Sequence, residues 1–246
     1  MLKFLGSGGA FHTERGNNSA YFVLANELFL FDCGEDVFAK LRKANLLENK
    51  SRINIFVTHL HGDHAGSLGT TIAYLYYMVY NQDMSNICIY YPNESIKQFL
   101  KLQGVPETWY NLFSNRWDEL FLPGFKVQPE YSFEEVPHTK ELDYRQQTTS
   151  YAIEFSLQDQ FSFYYSGDTS EFQEKLKNVY QFDYIYHEVT SEERATVHTS
   201  YHKLLEATKN LSKEERSRIY LMHIDENFDC EQAKKDGFQV VENVEL

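Results

Sequence analysis

Val57-Thr58-His59-Leu60-His61-Gly62-Asp63-His64 puts three imidazoles and a carboxylate within six residues. The stretch directly follows the apolar run Ile53-Asn54-Ile55-Phe56 and precedes a segment of helical character. Loops beyond the ends of strands are where open α/β sheets commonly bind ligands. At the His and Asp frequencies of this chain, an H-x-H-x-D-H pattern would arise by chance about 6 times in 10,000. A solvated polar loop is therefore a poor account of it. Imidazole and carboxylate together suit zinc or a similar borderline ion. One ion would leave donors over, and a second would need further donors along the chain.

Working outward, short apolar or alternating runs broken by Gly, Asn or Asp predict strands near residues 2–5, 20–24, 27–32 and 53–57. Further strands are expected near 87–91, 125–136, 149–156, 161–166, 183–188, 218–222 and 239–242. Helices suit 35–45, 67–80, 95–103, 171–178 and 201–209, the second with Ser67 as its N-cap. There is no repeat, low-complexity tract or linker, so residues 1–246 are expected to form a single domain. Strands punctuated by helices in both halves suggest two sheets between helical layers, although an ordinary α/β fold would share that pattern.

Composition sets the surroundings. No run of about 18 apolar residues is present to span a bilayer, and MLKFLGSGG breaks into glycine before forming a secretory core. Cys33, Cys88 and Cys230 are odd in number, widely spaced and without a CxxC pair, which fits a reducing cytoplasm. The formal charge of 23 − 36 = −13 opposes long nucleic acids, whose affinity comes largely from Lys and Arg. Two divalent cations would bring it to −13 + 4 = −9 and concentrate positive charge at one place, where a small anion could be drawn.

Donors for a second ion are available in VPHT at His138, YYSGDTS at Asp168 and LMHID at His223, each after a strand-like run. Together with Asp32 in LFDCGE and the His59–His64 run, they resemble in order and spacing the five motifs of the metallo-β-lactamase superfamily. The resemblance spans residues 1 to about 228. It implies an αββα four-layer sandwich with two divalent ions at the sheet edge, zinc in the first place and manganese as an alternative. Carried over, His59, His61 and His138 would hold one ion and Asp63, His64 and His223 the other. Asp168 would bridge them, and Asp32 would orient the histidine loop from behind. Asp63 could also take the proton of the attacking water through its remaining oxygen.

Two later segments, His187-Glu188-Val189-Thr190 and His198-Thr199-Ser200, look like the paired HEAT and HST motifs of RNase Z, the tRNA 3′ processing endonucleases. That resemblance implies that His198 assists at the leaving or nonbridging oxygen and that Glu188 orients it. His187 is expected to be structural, and His12 and His202 ordinary surface or loop residues. The early glycines of FLGSGG either present amides to a phosphate or merely allow a tight turn.

RNase Z carries a tRNA-gripping arm between the third-motif histidine and the bridging aspartate, but His138 and Asp168 are only 168 − 138 = 30 residues apart. Strand candidates TTSYAIEF and QFSFYYS fill most of that interval. An RNase Z-like centre without the arm resembles the small cyclic-nucleotide phosphodiesterases, including phage enzymes that destroy cyclic CMP and cyclic UMP in the Pycsar anti-phage defence. The resemblance implies hydrolysis of a 3′,5′-cyclic nucleotide to a 5′-nucleotide. It further implies a homodimer, for which the aromatic run Ile72–Tyr80 offers a face when it is not all core. The rival readings are an arm-less tRNA endonuclease, a thioester, lactone or β-lactam hydrolase, and a noncatalytic metal-binding module.

Overall fold

A computed structural model describes residues 1–114, 120, 128–138, 149–157 and 160–246. Among the described residues, twelve strands form two six-stranded sheets. The first holds β1 (Lys3–Gly6), β2 (Ser19–Leu24), β3 (Glu27–Phe31), β4 (Arg52–Phe56), β5 (Ile87–Tyr90) and β6 (Asn111–Phe113) in chain order. The second holds β7 (Glu130–Val136), β8 (Ser150–Leu157), β9 (Phe161–Tyr165), β10 (Tyr184–Glu188), β11 (Ile219–Met222) and β12 (Gln239–Val240), in reverse order across the sheet. The helices are α1 (Val37–Lys43), α2 (Gly62–Ala65), α3 (Leu68–Tyr74), α4 (Ser95–Leu102), α5 (Tyr201–Ala207), α6 (Lys213–Arg216) and α7 (Cys230–Lys235).

Aromatic rings join the sheets. Within a sheet they stack, as Phe31 does on Phe56 at 5.1 Å and Phe155 on Phe163 at 5.3 Å. Between sheets they meet edge to face, as Phe31 does with Phe163 at 5.2 Å and 84°. Both are geometries that ring quadrupoles favour. The same core takes Val37 and Leu41 of α1, Leu68 and Ile72 of α3, and Ile96 and Leu100 of α4. Alternation then places Tyr164, Ile185, Ile219 and Leu221 on the outer face of the second sheet, under Leu204 of α5 and Ala233 of α7. The result is the αββα sandwich of the metallo-β-lactamase fold.

Sheet pairing decides where the loops gather. Strands β3, β4, β5 and β6 run parallel, as do β9, β10, β11 and β12. Two antiparallel steps, β7 to β8 and β8 to β9, leave β7 pointing the same way as β9. In each sheet the strands that precede the donor residues therefore end at a common edge.

Several expectations need correction. The helix expected over 171–178 is only a short 3-10 turn, Glu174–Lys177. The helix over 67–80 divides into α3 and a π-helical turn, Leu75–Val79. Ser67 precedes α3 without capping it, because its hydroxyl donates instead to the Gly34 carbonyl at 2.5 Å. The strand expected from 125 begins, among the described residues, at Glu130, and 125–127 lie outside them. Strands β8 and β9 do occupy the stretch before Asp168, while the part of the no-arm reading that falls on 139–148 lies outside the described residues.

Candidate metal centre

Asp32 leaves β3 with φ 62°, and His223 leaves β11 with φ 53°. Left-handed backbone is costly for a residue with a side chain, and such positions cluster at functional sites. Here each turns its side chain back toward the common edge. Asp32 is fully buried. Its Oδ1 accepts from the Thr58 amide at 2.8 Å and the Thr58 hydroxyl at 2.9 Å, and its Oδ2 faces His64 Nδ1 at 2.9 Å. Tyr165 also donates to Asp32 Oδ2, at 3.3 Å, and accepts from Asn18 Nδ2 at 2.7 Å. Burial, followed by the Asp32 charge, pushes the Tyr165 phenol well above its ordinary range, so it remains a donor.

These contacts fix ring nitrogens. With Asp32 at Nδ1, His64 carries its proton there and aims Nε2 outward, 3.3 Å from Asp63 Oδ2 and 3.2 Å from Asp168 Oδ1. His223 Nε2 approaches the same two oxygens at 3.2 and 3.5 Å. His138 Nδ1 donates to the Val197 carbonyl at 2.8 Å, leaving Nε2 to face His61 Nδ1 at 3.4 Å, and His61 Nδ1 lies 3.0 Å from His59 Nε2. Asp168 stands between the groups, with Oδ1 toward His64 and Oδ2 3.7 Å from His59 Nε2 and 3.9 Å from His138 Nε2.

Within each of His59/His61/His138 and Asp63/His64/Asp168/His223, the donor atoms lie within 4.8 Å of one another. The buried His64 Nε2 and Asp168 Oδ1 have no hydrogen-bond partner. A buried ring nitrogen and carboxylate oxygen brought this close need a positive charge between them, which a bound cation supplies and which a proton on His64 supplies otherwise. The electrostatics agree. Burial lowers the pKa of His59 and His61. For His64 burial is outweighed by Asp168, Asp32 and Asp63, which push the ring well above its ordinary value. For Asp168 burial is likewise outweighed, by His223, His64 and His59, which hold it well below the carboxylate range. The residues present fit two divalent cations.

Close packing supports the arrangement. A Cβ on Gly34 would lie 2.0 Å from the Asp63 carbonyl, so only glycine lets the Asp32–Gly34 turn rest on the histidine loop. The amides of Gly8 and Gly9 donate to the carbonyls of Gly16 and Ile224, so these two amides are engaged within the fold.

Glu188 ends β10 fully buried. Its Oε1 accepts from the amides of Thr169 at 2.7 Å and Thr199 at 3.3 Å, and its Oε2 faces His198 Nδ1 at 3.0 Å. Burial works against a charged His198 ring, yet the Glu188 carboxylate outweighs it and pushes the pKa up to about 9. His198 Nδ1 is also 3.8 Å from Asp168 Oδ2, which sets the ring beside the groups that could hold metal. His187 is buried, its Nδ1 toward the Glu188 carbonyl at 2.7 Å. His12 packs on the Ile224 carbonyl at 3.0 Å, and His202 is exposed. Sequence reasoning had no signal for Tyr165, Asn18 or the Val197 carbonyl, since a phenol in an alternating strand or a backbone oxygen carries no motif.

Residues 1–246 match the family described as "Anti-Pycsar protein Apyc1". The chain belongs to that family. Ribonuclease Z of Methanococcus maripaludis is 33% identical over 105 residues, 42% of this chain and 33% of the relative. Ribonuclease Z of Bacteroides fragilis is 45% identical over 69 residues, 27% of this chain and 22% of the relative. The chain thus matches about a third or less of those relatives' length. Among solved structures, a diphosphatase of the PhnP family superposes with a TM-score of 0.73 at 15% identity, covering 100% of this chain and 97% of its own. The short form of human tRNase Z gives 0.66 at 20%, covering 98% and 96%. Family, fold and donor set together make the chain a metal-dependent hydrolase of the RNase Z-like branch.

Proposed function

We propose that the chain is a phosphodiesterase that hydrolyses a small 3′,5′-cyclic nucleotide to the 5′-nucleotide. The observation that carries this reading is the Glu188–His198 pair beside Asp168, because expelling an alkoxide requires a proton at the departing oxygen. His59, His61 and His138 would hold one cation, Asp63, His64 and His223 the other, with Asp168 between them. Zinc suits these donors and manganese is compatible. When bound, such a pair supplies Lewis acidity toward phosphoryl oxygens and a water that ionises near neutral pH.

The chain's own residues then move the protons. Asp63 has Oδ2 turned toward His64 and His223, and its Oδ1 takes the proton of the attacking water. His198 keeps its Nδ1 proton on Glu188 and delivers the Nε2 proton to the 3′ oxygen. One P–O bond forms and the P–O3′ bond breaks, so the ring opens to a nucleoside 5′-monophosphate with a free 3′-hydroxyl. The net charge of −13 supports a small substrate over a long nucleic acid. The family description supports cyclic-pyrimidine signals of anti-phage defence as the target.

The reading includes a homodimer closing over Tyr77 and Met78, which are 51% and 71% exposed after α3. It takes residues 1–246 as one folding unit. No helix among the described residues is long and apolar enough to cross a membrane. The partial likeness to Ribonuclease Z supports a second reading, an arm-less tRNA endonuclease. One experiment separates the two: metal-loaded protein, with Asp168→Ala and His198→Ala beside it, is given cyclic CMP, UMP, AMP and GMP and a tRNA precursor. Chromatography showing 5′-monophosphates that both variants fail to make supports the first reading. Cleavage of the tRNA with cyclic nucleotides untouched replaces it with the second.

A further inference from the structure

His198 sits on a segment, residues 191–199, that has no helix or strand of its own. Its ends are closed by two backbone bonds, Thr190 N to Thr199 O at 3.0 Å and Tyr201 N to Thr190 O at 2.9 Å. Inside it there is one turn, Ala195 N to Glu192 O at 3.1 Å. Its far end is held by Glu188, by the Thr169 carbonyl and by Lys203 Nζ on the Ala195 carbonyl. Its base at Thr190 and Ser191 is held from outside the loop by a carboxylate that neither the family motifs nor the proposed mechanism uses.

That carboxylate is Asp225, two residues beyond His223. Its Oδ2 accepts from the Thr190 hydroxyl at 2.8 Å and from the Ser191 amide, and its Oδ1 accepts from the Ser191 hydroxyl at 2.7 Å and the Asn227 amide at 2.9 Å. Bonds to an ionised acceptor are roughly twice as strong as neutral ones. Three of the four come from the base of the His198 loop. The far end of that loop has two duties at the centre. His198 meets Glu188 and Asp168, while the Val197 carbonyl accepts from His138 Nδ1 at 2.8 Å. One loop therefore aims the proposed proton donor and also sets the ring of a metal-donor histidine.

We infer that Asp225 is a positioning residue that ties the His198 loop to the end of β11 and so fixes where the His198 proton is delivered. The inference rests on the phosphodiesterase reading. A displacement of about 1 Å at a reacting group can cost about 10²-fold in rate. With zinc saturating, so that any loosening of His138 is made up by excess metal, the cost should fall mainly on substrates that need the proton. An alkoxide departing from a cyclic nucleotide needs it; a p-nitrophenolate, stable as the anion, does not.

The test compares wild type and Asp225→Ala at saturating zinc on a 3′,5′-cyclic nucleotide and on bis(p-nitrophenyl) phosphate. On the cyclic nucleotide, kcat is expected to fall at least about tenfold with KM within about twofold, and on the aryl diester kcat stays within about threefold. Hydrogen exchange should rise across 190–201 while β10 and β11 stay protected. Ser191→Ala keeps the carboxylate and removes one donor. It stands in if Asp225→Ala does not fold, with the same substrate dependence and a loss of about two- to fivefold. Equal losses on both substrates, or none on either, overturn the inference. A wild type inactive on both diesters instead overturns the phosphodiesterase reading itself.

Discussion

His198 Nδ1 lies 3.0 Å from Oε2 of Glu188, a carboxylate with no exposed surface, while the imidazole side chain itself remains 28% exposed. The buried partner holds the ring's far nitrogen and leaves the near one facing the solvent side of the centre. Replacing Glu188 with Gln should lower kcat by about 10²-fold, within the range by which positioned acid catalysts act. The sign of the pH effect follows from the charges. The proton donor must be protonated, so activity falls as pH rises through the His198 pKa, which is about 9 in the metal-free chain. Cations beside Asp168 oppose a further positive charge and bring that limb below 9, and loss of the Glu188 charge brings it lower still. A kcat–pH profile of both proteins checks the order; a base limb in Glu188→Gln at or above that of wild type contradicts it.

Asp32 is fully buried behind the candidate centre, where it fixes His64 through Nδ1 and the histidine loop through Thr58. Carboxylates behind metal-bound histidines usually matter by 10- to 100-fold in affinity. Asp32→Ala should therefore weaken one bound zinc by about that factor, as read by calorimetric titration. Tyr165→Phe, which leaves Asp32 its other donors, should cost much less.

In the metal-free chain His64 is held protonated by Asp168, Asp32 and Asp63 against the effect of burial. A folded pKa raised above the unfolded 6.5 contributes stability that is complete below 6.5 and lost as pH rises through the folded value. Chelated protein should accordingly lose stability on the alkaline side, and metal-loaded protein should not, because a cation takes the place of that proton. At 100 times its dissociation constant each ion adds about 2.7 kcal/mol. Thermal unfolding with and without chelator between pH 6 and 9 measures both; a chelated protein with a flat profile would count against this account.

Gly34→Ala introduces a methyl group where the Asp63 carbonyl already lies, 2.0 Å from the ideal Cβ. The turn must lift off the histidine loop, so zinc affinity should fall while the remote core is intact. Phe163→Ala is the converse, emptying the ring stack between the sheets at about 3–5 kcal/mol with the donors untouched. Denaturant unfolding set beside zinc titration should show the two variants failing in opposite assays.

How legible the site was depended on the kind of group. The donor residues stand out in sequence because His and Asp are chemically unusual after apolar strands, and the strand pattern of β2 to β5 and β8 to β11 follows from alternation. The helix expected over 171–178 failed for a physical reason: Phe172, Leu176 and Val179 pack on the second sheet as a turning coil, whose spacing imitates a helical face. The π turn after α3 was equally hidden, because Leu75 to Val79 are apolar at every spacing. Tyr165, Val197 and Asp225 act through contacts that only folding creates.

The donor atoms are divided between the two halves of the chain. His59, His61, Asp63 and His64 follow β4 in the first sheet, whereas His138, Asp168 and His223 follow strands of the second. A nascent chain therefore holds only the donors of the first sheet until His138 and Asp168 have emerged, and the second group stays one donor short until His223 follows. On the proposed reading, capture of both ions would report completed folding, and an ion bound before His138 emerges would meet only the donors that follow β4.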